Sequence, residues 1–111
     1  MDTAPSDDFR SYREAVESLV RLARGDTHGA RAAAQVLLGV YNGVEWHMNL
    51  TDLCLLDSKH LDAALTVLRC RVQLSHEPHN VIDNGDAVFA KLWDQWEALS
   101  VPQRYKAWYD R

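Results

Sequence analysis

Along most of the chain apolar residues recur every three or four positions, the spacing of one buried helix face, and in one short stretch they alternate with polar ones. Phe9, Tyr12, Val16, Leu19, Val20 and Ala23 form the first stripe, opened by Ser6, Asp7 and Asp8 and stopped at Gly25. Asp26 or Thr27 can cap a second helix, whose face of Ala30, Ala33, Ala34, Leu37, Leu38 and Tyr41 is mostly small, so other helices can approach it closely. Asn42-Gly43 closes this half of the chain.

The alternation follows at once. Val44, Trp46, Met48 and Leu50 are apolar, with Glu45, His47 and Asn49 between them, so the pattern predicts an extended segment with one buried face. A single strand does not stabilise itself, so this segment is expected either as a strap over the helices or as an edge that pairs with a second copy. Thr51 then reads as the cap of a short helix reaching about Leu56, with Leu50 and Leu55 as a hydrophobic staple. Asp57 or Ser58 opens a longer helix with Leu61, Leu65, Leu68 and Val72 as its inner stripe and Ala64 and Cys70 near the border. The pattern lapses from Ser75 to Gly85. It resumes with the aromatic stripe of Val88, Phe89, Leu92, Trp93, Trp96 and Leu99, and Ser100-Val101-Pro102-Gln103 fits a capping box before a last short helix. The fold expected is all-α: a compact bundle of five or six short helices with one extended strap at about residues 44–50, forming a single helical domain over residues 1–111.

Composition narrows the function classes. With 111 residues, 47% hydrophobic and 25% charged, the chain has ordinary globular usage. No apolar run approaches the ~18 residues of a membrane span, and the first residues lack the basic and apolar regions of a signal peptide, so a cytoplasmic protein with no membrane partner is expected. In such a compartment Cys54 and Cys70 read as buried thiols. The net charge of −4 is spread along the chain, and the arginines at 10, 13 and 21 alternate with Glu14 and Glu17 at helical spacing. No basic stripe remains to follow a phosphate backbone, which argues against nucleic acid as a partner.

Candidate chemistry is sparse. His76-Glu77-Pro78-His79 offers imidazole and carboxylate ligands, but the histidines are three apart with a proline between them, unlike the helical pair of a metalloprotease. A metal-binding protein or metal-dependent enzyme built on His76, Glu77 and His79 is therefore the alternative reading, and no cofactor is expected. Glu45, His47 and Asp52 hold the minimum for proton transfer without an accompanying nucleophile or phosphate loop, so no enzyme is expected. The aromatic residues weigh more. Trp93 and Trp96 belong to a core stripe, whereas Trp46, Tyr105, Trp108 and Tyr109 are harder to bury together and suit an interface. Arg104, Lys106 and Arg111 among the terminal aromatics keep a single-stranded nucleic-acid binder as a further alternative.

Residues 15–27, Ala-Val-Glu-Ser-Leu-Val-Arg-Leu-Ala-Arg-Gly-Asp-Thr, with Tyr41-Asn42-Gly43 and Leu50-Thr51-Asp52-Leu53, resemble a family of small uncharacterised proteins carried by bacterial plasmids, integrative elements and phages. The resemblance rests on helix stops, caps and core positions, and implies a setting without implying catalytic residues. Accessory genes of mobile elements often encode small proteins that bind host or rival machinery, including inhibitors of defence systems. The function expected is thus a non-enzymatic accessory or inhibitor protein that binds a protein partner through Glu45, Trp46, His47 and Met48 on the strap and Trp108 and Tyr109 near the end, as a monomer or as a homodimer paired through the strap.

Overall fold

Helix starts and stops follow the local chemistry closely. In the computed structural model, which describes residues 5–104 and 106 with side chains from Asp8 onward, helix α1 runs from Pro5 to Ala23. Proline suits a first helical turn because its missing N–H has no partner there in any helix. Helix α2 spans His28–Tyr41, and the Thr27 hydroxyl caps it by accepting the Ala30 N–H at 3.0 Å. Helix α3 spans Ser58–Leu74; the Asp57 carboxylate accepts the His60 N–H at 2.9 Å and lies 2.8 Å from the His60 ring, which holds that carboxyl below its usual range. Serine 75, left-handed at φ 55°, ends α3. Helix α4 spans Gly85–Trp96 and helix α5 Val101–Arg104.

Helix α2 is the centre of the bundle. Ala30, Ala32, Ala33, Ala34, Val36, Leu37 and Leu38 are all buried, so the helix is covered around its circumference by α1, α3 and α4. Its small side chains let the neighbours come close. On α1 the expected stripe faces inward: Tyr12, Val16, Leu19, Val20 and Ala23 are buried and Phe9 is half-buried. On α4, Phe89 and Leu92 are buried while Val88, Trp93 and Trp96 pack from the edge. The result is an all-α bundle with no strand among the described residues. No described helix is long and apolar enough to cross a membrane.

Three local expectations are corrected. Helix α3 is rotated relative to its sequence reading: Ala64, Val67 and Cys70 face the core, while Leu65, Leu68 and Val72 are exposed at 50%, 36% and 79%. The helix carries two apolar stripes, and the small one wins because α1 and the alanine-rich α2 leave little room beside it. The segment between α2 and α3 buries Trp46 and half-buries Met48 as alternation requires, but its ends depart. Residues 43–45 form a turn, and the next helix is a 3₁₀ helix, Leu50–Leu55, that begins before Thr51. Val44 and Leu50 are consequently exposed, so no staple forms at Leu50. Finally, Cys70 is buried but Cys54 is exposed.

Candidate functional site

The strap residues singled out by alternation have different fates. Trp46 lies in the core, its ring edge-on to Trp93 with centroids 5.1 Å apart, and its indole N–H finds no acceptor among the described residues. Glu45 and Met48 are half-buried and His47 is exposed. The Glu45 carbonyl accepts the Val101 N–H at 2.7 Å, so the strap is latched to the start of α5. Trp108 and Tyr109 lie outside the described residues.

The His76–His79 loop is packed more closely than its polarity suggests, and it separates its histidines. The His76 ring sits edge-on to Phe9 at 4.7 Å, and its carbonyl accepts the Tyr12 hydroxyl at 2.7 Å. Burial pushes the Tyr12 phenol up to about 12. His79 turns the other way and packs edge-on to Tyr41 at 5.0 Å, with Nδ1 3.5 Å from Glu77 and Nε2 3.6 Å from Asp86. Pro78, buried at the start of a 3₁₀ turn, aims the two rings apart. Gly85 completes the clamp, since a Cβ there would overlap the His79 carbonyl. Among the described residues no three metal-ligating His, Cys, Asp or Glu side chains converge.

Two surface features were not legible as sites. One is a polar cleft of about 300 Å³ lined by Arg31, Gln35, Asn49, Asp52, Leu99 and Arg104. Gln35 is 3% exposed and organises it, donating to Asp52 at 2.9 Å and accepting from Arg104 at 3.0 Å. Arg104 also donates to the Leu99 carbonyl at 2.7 Å, and Arg31 lies 3.9 Å from Asp52. These contacts tie α5 to α2, while the buried Arg31 Nε has no hydrogen-bond partner among the described residues.

The other feature is apolar. A groove of about 260 Å³ between α2, the strap and α3 is lined by Val36, Val40, Met48, Leu50, Leu53 and Leu68, with Trp46 at its floor. Leu68 joins this groove to the exposed stripe of Leu65 and Val72. Isolated apolar residues on a surface are ordinary, whereas a stripe in helical register beside an open apolar groove is a larger contiguous apolar surface. The signal was present in the sequence as the 61-65-68-72 periodicity, but periodicity alone does not say which of two stripes faces inward.

This architecture defines a small all-helical domain with an uncovered apolar face. A model of a family of unknown function, DUF7673, matches residues 13–97, and the chain belongs to that family. Among the curated proteins and the solved structures none matches the chain.

Proposed function

We propose that the protein is a non-enzymatic protein-binding module that docks another polypeptide on the exposed stripe of α3 and the groove beside it. The observation carrying this reading is the stripe itself, Leu65, Leu68 and Val72, left to solvent next to exposed Leu50. Met48 lines the same groove from the strap and keeps its expected role as a contact residue, with the exposed His47 next to it in the chain; Trp46 supports the groove from beneath. Within this reading, the resemblance to small proteins of mobile elements supports an accessory or inhibitory role, including action against a host defence system. The net charge of −4 fits an inhibitor that presents carboxylates where a target would take phosphate.

The test is site-specific photo-cross-linking. A photo-reactive phenylalanine in place of Leu65, in cells or native lysate, is expected to trap a polypeptide, and Leu68→Lys is expected to abolish the adduct while the helical circular dichroism is unchanged. A probe that yields no adduct to a second polypeptide, whether another protein or a second copy of this chain, removes the reading.

A further inference from the structure

We propose that the occupant of the α3 stripe is α3 of a second copy, packed antiparallel about a two-fold axis. This rests on the protein-binding reading and names its partner. With Leu61, which is half-buried against its own core, the exposed Leu65, Leu68 and Val72 have successive spacings of four, three and four, the seam of a two-helix coiled coil. Those spacings read the same in both directions. Reversing one helix therefore sets Leu65 against Leu68 of the second copy and Leu61 against Val72 of the second copy, with every apolar position matched. Self-complementarity of this kind is what a two-fold interface requires, because one patch must serve both sides.

The charges beside the seam select the same register. Asp62 and Arg69 directly follow Leu61 and Leu68, and both are exposed on the solvent flank of the stripe. In the antiparallel pair Asp62 meets Arg69 of the second copy, and the two-fold axis repeats the contact. Sliding the pair by one heptad brings Asp62 against Asp62 of the second copy, or Arg69 against Arg69 of the second copy, so like charges oppose both slips. Among the described residues Asp62 and Arg69 make no ion pair, and Arg69 donates one hydrogen bond, to the exposed Gln73 at 3.2 Å. On the other flank Ala64 is buried, and Arg71 is held within its own chain by the Val40 carbonyl at 3.2 Å and by Glu77 at 3.8 Å. A parallel pair would lose the charge match and align the two helix dipoles.

Two heptads of one helix bury less than the roughly 1,600 Å² of a standard interface, so the dimer is expected to be reversible, dissociating in the micromolar range. Sedimentation velocity across protein concentration tests it. The wild type is expected to shift from monomer to dimer; D62R alone and R69D alone each place like charges across the seam and are expected to weaken association at least about tenfold. An equimolar mixture of D62R and R69D is expected to recover a heterodimer, because each chain then meets the opposite charge on the other. Wild type that stays monomeric, a dimer indifferent to both reversals, or a mixture that fails to reassociate overturns the proposal. The Leu65 photo-probe separates this failure from failure of the binding reading. A monomer whose probe traps a different protein overturns self-pairing alone, and a monomer whose probe gives no adduct, or only an adduct within the same chain, removes both.

Discussion

Tyr12 shows how one hydroxyl ties distant parts of the chain together. It rises from α1 through the core and donates to the His76 carbonyl, fixing the loop after α3 onto the first helix. Its phenol ionises near 10 in an unfolded chain and at about 12 here, with burial as the main cause. The folded state therefore keeps its proton longer than the unfolded state. The contribution of this group to stability is complete below about pH 10 and is lost as the pH rises toward 12. Tyr12→Phe is expected to lower stability by about 1 kcal/mol at neutral pH and to flatten the alkaline limb of a stability–pH profile, measured by urea titration. Gly85→Ala is a harsher change, because its Cβ meets backbone that cannot move aside without lifting the 3₁₀ turn from α4. A loss of about 2 kcal/mol or more is expected, read as a fall in thermal midpoint. Neither role was legible in the sequence. Tyr12 read as one more stripe residue and Gly85 as the end of a polar loop, since a long-range carbonyl acceptor and a close backbone approach leave no local pattern.

At the scale of elements, periodicity was reliable where a helix has one apolar face and failed where it has two. The stripes of α1 and α4 turn inward as their spacing requires, and α2, with its small residues, is the central packing partner. Helix α3 carries Ala64, Val67 and Cys70 on one side and the larger leucines on another, and only the available space decides between them. Mutation separates the two faces. Val67→Ala is expected to cost about 2 kcal/mol through lost burial and a cavity, whereas Leu65→Ala is expected to stay within about 0.5 kcal/mol in the monomer, both measured by denaturant unfolding at low protein concentration. The strap was legible at its centre and not at its ends. Trp46 is where alternation puts it, but Asn42 accepts the Val44 and Glu45 N–H groups at 3.1 Å each, which bends the chain into a turn and carries Val44 outward.

For the molecule as a whole, the helical class was readable from spacing and caps, while the uncovered apolar face became visible only once α3 had a definite rotation. The His76–His79 pair illustrates the opposite case: residues adjacent in sequence that packing sends to different neighbours, Phe9 and Tyr41. The core is shared between helices far apart in the chain, so its aromatic members are expected to be the costliest single losses. Phe89, fully buried beneath the Tyr41 ring at 5.0 Å, is the clearest of them; Phe89→Ala is expected to cost about 3–5 kcal/mol and to lower the unfolding midpoint of every helix together, as followed by circular dichroism.

The contact between Trp46 and Trp93 also has a temporal side. Chains are made from the N-terminus, so α1, α2 and α3 can settle against one another while the segment that covers Trp46 is still inside the ribosome. Until Trp93 emerges, the nascent chain carries an indole with no lid beside an open apolar groove. A chaperone that recognises exposed aromatic surface would have its best opportunity in that interval, and release would coincide with the arrival of α4.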